Sequence, residues 1–193
     1  MEAPPNSFQA STRAQWRRWL SKHHKRAEGV WLITFKKRSG GPHVEYGACV
    51  EEALCFGWID SLPRKLDEQR SMLWFAPRKP GTGWSRLNKE RVERLRELGA
   101  LAPAGLAKIR AAQRDGSWSK LDAVERLELP EDLRAALRAL PHATANFEAF
   151  PPSAKRGIFE WIGAAKRAPT RAARIAKTAE CAERNERANQ WRP

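Results

Sequence analysis

The sequence predicts an α+β fold, in which a small antiparallel β-sheet with helices is followed by an all-helical C-terminal region. In the N-terminal half, short runs of β-branched and aromatic residues alternate with turn residues and amphipathic stretches. In the C-terminal half, apolar residues recur at helical spacing, often directly after a proline. Of the 193 residues, 41% are hydrophobic and 30% are charged, which is typical of a globular protein.

The N-terminal elements follow from local signals. Thr12 begins a Thr-x-x-Gln capping pattern, the Gly-Gly-Pro segment at 40–42 predicts a turn, and Gly57 is a suitable helix end. The predicted elements are a helix at 12–25, a strand at 30–36, a helix at 46–56, and strands at 58–66 and 71–76. Adjacent strands joined by a short turn favour an antiparallel sheet packed by the two helices.

The rest of the chain predicts helices only. Pro152 and Pro169 stand at the first turn of the last two, where proline is well tolerated. The predicted helices cover about 85–98, 103–115, 122–128, 131–140, 142–149, 152–166 and 169–186. We therefore expect an α+β domain at 1–99 and a helical region at 100–193, which can also pack as one body.

Composition excludes several classes of protein. The net charge is +14 at pH 7, and no apolar run is long enough to span a bilayer. The first residues have neither the basic segment nor the apolar core of a secretory signal. Three cysteines without a Cys-x-x-Cys pair argue against a disulfide framework or a zinc site. We expect a cytoplasmic protein with no membrane span, metal or cofactor.

The strongest candidate site is the glycine-containing loop that leads into the helix at 85–98. Free backbone N–H groups and the helix dipole attract anions at a helix start, and Arg78 and its neighbours add positive charge. The residues expected to bind an anion here are Arg78, Trp84, Ser85, Asn88 and Arg91. The alternative is that Ser85 and Asn88 only cap the helix and that the basic side chains are solvated.

A second candidate pairs Trp58 with Asp60, which alternate along a predicted strand and so project to one face. The carboxylate could accept a hydrogen bond from a ligand in a pocket beside the sheet. The alternative is that Trp58 belongs to the core and that Asp60 pairs with a local arginine. No metal-ligand spacing, phosphate loop or nucleophile motif accompanies these residues, so the sequence favours a non-enzymatic protein and leaves an enzyme as a third hypothesis.

A third candidate is a basic patch at the junction of the last two helices. Two of its arginines stand three residues apart and lie on one side of a helix. The patch consists of Lys166, Arg167, Arg171, Arg174 and Lys177. It could bind phosphate, nucleic acid or an acidic partner, and the alternative is a solvated basic face.

Several segments together resemble one known family. They are EALCFGWID at 52–60, KLD at 65–67, PRKP at 77–80, WSxxNxxR at 84–91, PSAKR at 152–156, WI at 161–162, AKR at 165–167, TR at 170–171 and RI at 174–175. This combination resembles the YdeI/OmpD-associated family, also called bacteriocin-protection proteins, over about residues 8–182. The resemblance implies a helical C-terminal module from about residue 130 and a link to resistance against cationic antimicrobial peptides. It implies no catalytic residues.

These observations predict a non-enzymatic, cytoplasmic stress-resistance protein of this type, which binds an anionic small molecule or an acidic partner. The alternative is a non-specific nucleic-acid-binding protein, because nine tryptophans and a net charge of +14 supply stacking groups and phosphate contacts.

Overall fold

A computed structural model describes residues 2–189 of the chain. The elements within this range are β1 (Ser7–Gln9), α1 (Arg13–His23), β2 (Val30–Phe35), α2 (Tyr46–Cys55), β3 (Trp58–Lys65), β4 (Arg70–Pro77), α3 (Arg86–Glu97), α4 (Pro103–Arg114), α5 (Asp122–Glu125), α6 (Glu131–Arg138), α7 (Ala143–Glu148), α8 (Pro152–Gly163) and α9 (Ala168–Glu183). The predicted α+β class with a helical C-terminal region is confirmed. Among the described residues, no helix is both long and apolar enough to cross a membrane.

The chain forms two compact units that divide between Lys120 and Leu121. The domain division expected after residue 99 stays a prediction. In the division by contacts, α4 belongs to the N-terminal unit, because it buries Ile109 and Ala112 in the core of that unit. A helix committed to that core cannot belong to the helical unit that follows it.

The sheet of the N-terminal unit has the strand order β1-β2-β4-β3. The β2–β4 and β3–β4 pairs are antiparallel, as predicted. The short β1, which the sequence analysis did not predict, pairs in parallel with β2, so the sheet is mixed rather than purely antiparallel. Three residues are too few for period-two alternation to be recognised in a sequence.

The pairing register of the strands shows which side chains share a face of the sheet. Leu32 pairs with Leu73 and Thr34 pairs with Ser71, so these side chains share one face with the buried Phe75. Helices α1 and α2 bury apolar residues in the same core cluster as Leu32. The core residues of these two helices are Trp16, Leu20, Cys49, Val50, Ala53, Leu54 and Cys55.

A register shift interrupts the β3–β4 ladder between Asp60 and Pro63. Such bulges bend a strand and change the direction of its side chains, and they often occur next to functional sites. This one lies two residues beyond the buried Trp58.

The C-terminal unit is built from α5 to α9 around its own apolar core. The fully or nearly fully buried residues of this core include Leu133, Leu137, Phe147, Ile158, Ile162 and Ala182. Their spacing within each helix follows the 3.6-residue period from which the helices were predicted.

Candidate functional site

Arg78 follows directly after β4 and is almost completely buried, with 3% of its surface exposed. Its backbone N–H donates to the carbonyl oxygen of Gly57 at 3.0 Å, which fixes the start of the loop. Its guanidinium carbon lies 3.8 Å from the centre of the Trp84 ring. Nη1 donates to the carbonyl oxygens of Thr82 at 3.3 Å and Gly83 at 2.9 Å. The loop therefore closes around this guanidinium group.

The other donors of the group have no acceptor. Within the part of the chain that the structure describes, Nε and Nη2 of Arg78 and Nε1 of Trp84 are buried without a hydrogen-bond partner. Burial lowers the pKa of Arg78 to about 10, and the negative charge of Asp60 opposes this decrease. The guanidinium is still charged at neutral pH. Leaving buried, charged donors unpaired costs free energy, so this position favours an acceptor from outside the protein.

A small cavity of about 50 Å³ lies against this group and is named here the Arg78 cavity. Besides Arg78 and Trp84, it is lined by Lys79, Pro80, Thr82, Lys108, Ala111, Ala112, Asp115 and Ser117. The carboxylate of the lining residue Asp115 already accepts hydrogen bonds from the backbone N–H groups of Gly81 at 3.2 Å and Ser117 at 2.9 Å. The cavity has room for a few non-hydrogen atoms, which matches an oxyanion group better than a ring system.

The N-terminus of α3 differs from the expected open anion site. Ser85 is the N-cap, and its Oγ accepts the backbone N–H of Asn88 at 3.3 Å. Arg91 donates to Oδ1 of the buried Asn88 at 2.9 Å. Ser85, Asn88 and Arg91 are not among the described residues that line the Arg78 cavity. Of the five residues predicted for the loop site, the structure brings only Arg78 and Trp84 to one cavity.

Trp58 and Asp60 occupy different surroundings. Trp58 is 1% exposed, packs in the core and donates through Nε1 to the carbonyl oxygen of His24 at 3.0 Å. Asp60 is half-buried, and its Oδ2 accepts the phenol hydroxyl of Tyr46 at 2.7 Å. Burial, followed by the contact with Asp60, raises the pKa of Tyr46 to about 12, so the phenol remains a donor.

Tyr46 was missed by the sequence analysis, although it is the only tyrosine of the chain. It stands at the first position of α2 and meets Asp60 from β3 across fourteen residues. Both line a larger cavity of about 370 Å³, named here the sheet cavity. Its other lining residues are Leu32, Thr34, His43, Val44, Cys49, Ser61, Pro63, Ser71, Met72 and Leu73.

The basic patch of the C-terminal unit is partly occupied by internal partners. Arg171 forms two hydrogen bonds with the carboxylate of Asp132, at 2.7 and 3.0 Å. Arg174 donates to the carbonyl oxygen of Trp161, and its guanidinium lies over that ring at 5.1 Å. The remaining members, Lys166, Arg167 and Lys177, are exposed. Two of the five predicted residues therefore stabilise the helices themselves.

The tryptophans offer little to a nucleic acid. Of the eight that fall within residues 2–189, three are buried, five are partly buried and none is exposed. Trp191, the ninth, lies outside the described residues. Stacking on single-stranded bases needs exposed aromatic faces, so these side chains give the nucleic-acid alternative no specific support.

Comparisons with known proteins divide the chain in a similar way. A family model described as Domain of unknown function (DUF8412) matches residues 8–108, slightly more than half of the chain. A second model, described as Bacteriocin-protection, YdeI or OmpD-Associated, matches residues 126–185. No curated protein and no solved structure matches the chain. The resemblance expected over 8–182 is thus confirmed for its C-terminal part, while the N-terminal part matches the other model. The chain belongs to the DUF8412 family, and its residues 126–185 are similar to the YdeI/OmpD-associated bacteriocin-protection family.

Proposed function

We propose that the protein is a non-enzymatic binding protein that holds a small anionic ligand by an oxyanion group in the Arg78 cavity. One observation carries this proposal: a charged guanidinium, 97% buried, keeps two nitrogen donors without an acceptor among the described residues. A carboxylate or phosphate oxygen would accept these donors in a charge-assisted hydrogen bond, which is about twice as strong as a neutral one.

The surroundings of Arg78 support an anion rather than a neutral ligand. Lys79 and Lys108 add two cationic side chains to the lining of the cavity. The carboxylate of Asp115 is held by backbone N–H groups, which compensate part of its charge. Trp84 stacks on the guanidinium from one side and holds it in place without accepting its in-plane donors. The donors are therefore positioned before any ligand arrives, which lowers the entropy cost of binding.

Phosphate binding tests the proposal. Thermal unfolding of the full chain is followed while inorganic phosphate is added at constant ionic strength. We expect a saturable stabilisation, which reaches about 2.7 kcal/mol when phosphate is at about one hundred times its dissociation constant. Acetate in a parallel series decides whether the site prefers phosphate or carboxylate oxygens.

Because a protein of charge +14 attracts any anion, the variants decide the result. Arg78→Met removes the buried donors, whereas Arg86→Met removes the same charge from an exposed side chain paired with Glu90. We expect the saturable effect to disappear in the first variant and to persist in the second. If Arg78→Met fails to fold, Lys108→Met is expected to weaken phosphate binding severalfold. Equal stabilisation of all variants, or none of the wild type, refutes the proposal.

A further inference from the structure

The sheet cavity lies in the N-terminal unit between the sheet and the segment that enters α2. Leu32 and Leu73, which are paired across β2 and β4, contribute to its lining from the sheet. His43, Val44 and Tyr46 contribute from the segment before α2 and from its first residue. Its volume of about 370 Å³ is within the usual range for small-molecule sites.

The lining combines an apolar surface with a few polar groups. Leu32, Val44, Pro63 and Leu73 provide the apolar part. The hydroxyl groups come from Thr34, Ser61, Ser71 and Tyr46. This mixture is characteristic of sites in which burial of an apolar body provides affinity and a few polar contacts fix orientation.

The lining of the cavity contains a carboxylate and no lysine or arginine. Asp60 supplies the carboxylate, and none of the described lining residues is a lysine or an arginine, although the chain has 36 of them. The charges of Arg78 and Arg91, which lie outside this lining, interact with Asp60 and Tyr46 respectively. His43 is the one imidazole among the described lining residues. Its Nδ1 lies 2.6 Å from the carbonyl oxygen of Phe35 and must donate to it, and its Nε2 lies 3.5 Å from Glu45.

Asp60 lies at the point where β3 becomes irregular. The register shift between Asp60 and Pro63 interrupts the ladder directly after this residue. Tyr46 donates to Oδ2, and within residues 2–189 no donor reaches Oδ1. The phenol therefore holds the carboxylate in one orientation and leaves one oxygen for a ligand.

We propose that the sheet cavity binds a small molecule with an apolar body and a protonated amine, and that the ammonium group pairs with Oδ1 of Asp60. This is a second site with the opposite charge preference to the Arg78 cavity, and it does not depend on the function proposed there. The apolar body of the ligand would be buried against Leu32, Val44 and Leu73 beside this ion pair. The serine and threonine hydroxyls can accept the remaining ammonium hydrogens.

Three probes of similar size test the charge preference. Benzylamine, benzyl alcohol and benzoate share one ring and are cationic, neutral and anionic at neutral pH. Each is titrated into the ¹⁵N-labelled full chain, and amide chemical shifts give both the dissociation constant and the site. We expect benzylamine to bind at least about tenfold more tightly than benzoate, with the largest shifts around Asp60 and Tyr46.

Two variants and a control locate the effect. Asp60→Asn keeps the shape and the Tyr46 contact but removes the charge, and is expected to bring the three affinities to within about twofold of one another. Ser71→Phe fills the cavity and is expected to abolish binding of every probe. Glu97→Gln removes one negative charge from an exposed position on α3 and is expected to change nothing. Benzoate binding as tightly as benzylamine, an unchanged preference in Asp60→Asn, or no binding of any probe overturns the proposal.

Discussion

Gly105, in the first turn of α4, lies against the end of α2. A Cβ atom built on it would lie 2.3 Å from the carbonyl oxygen of Cys55 and 2.8 Å from that of Leu54. The Cys55 oxygen also accepts the backbone N–H of Ala102 at 3.1 Å, so it cannot move away without breaking that bond. In Gly105→Ala, the higher helix propensity of alanine is therefore opposed by a steric clash with the backbone of α2.

Helix propensity alone favours alanine over glycine by about 1 kcal/mol. Overpacking a closed contact costs about 1–3 kcal/mol, and here both colliding groups are backbone. Because backbone groups cannot rotate away as a side chain can, the overpacking cost lies at the upper end of this range, and subtracting the propensity gain leaves an expected net destabilisation of about 2 kcal/mol for Gly105→Ala. Gly47 in α2 is the matched control, because a Cβ there meets nothing within 4 Å. Gly47→Ala is expected to stabilise the protein by about 0.5–1 kcal/mol.

Urea unfolding followed by tryptophan fluorescence measures both changes. Seven of the eight tryptophans within residues 2–189 lie in the N-terminal unit, which contains both glycines. The reasoning is refuted if Gly105→Ala is as stable as the wild type or more stable. It is also refuted if the two replacements change the free energy of unfolding in the same direction.

Three further predictions concern charged and sulfur groups. Glu52 is buried and accepts hydrogen bonds from two arginines of α1, at 2.5 and 2.6 Å. We expect Glu52→Gln to remove the charge that pairs with these arginines and to lower the free energy of unfolding, measured by urea unfolding, by about 2 kcal/mol. The loss is no larger because both arginines remain partly solvated. The hydrogen bond from Arg171 lowers the pKa of Asp132, so their ion pair stabilises the fold above the ordinary aspartate pKa, and this stabilisation is lost as the pH falls through the lowered pKa. Arg171→Gln should therefore reduce stability at neutral pH but not in acid, as followed by circular dichroism. Burial raises the pKa of Cys49 to about 12 and that of Cys55 in the same direction, so we expect Ellman's reagent at neutral pH to react with them only as fast as the protein unfolds.

Apart from the three-residue β1, the elements of the fold were predictable because each has a local signal. Thr12 caps α1 through a hydrogen bond to the backbone N–H of Gln15, as the Thr-x-x-Gln pattern indicated. The three longer strands carry β-branched and aromatic residues between turns. The boundary between the units had no such signal, because the apolar pattern of α4 in the sequence does not indicate which core this helix packs against.

The candidate sites were only partly predictable. Ser85 could be assigned as a cap or as part of an anion site from its position before a helix, and the structure shows it as the cap. The burial of Arg78 could not be predicted, since an arginine within a basic stretch is normally solvated. The contact between Tyr46 and Asp60 depends on how α2 lies against β3, which is a tertiary relationship. Local periodicity carries no information about such distances.

Helix α2 connects the two cavities of the N-terminal unit. It begins at Tyr46, which lines the sheet cavity, and two residues after its end Gly57 accepts the backbone N–H of Arg78. Ten helical residues span about 15 Å, and most of α2 is buried, so this helix is a packed connection between the two cavities. Thermodynamic linkage then requires reciprocity: if phosphate changes the affinity for an amine by some factor, the amine must change the affinity for phosphate by that same factor.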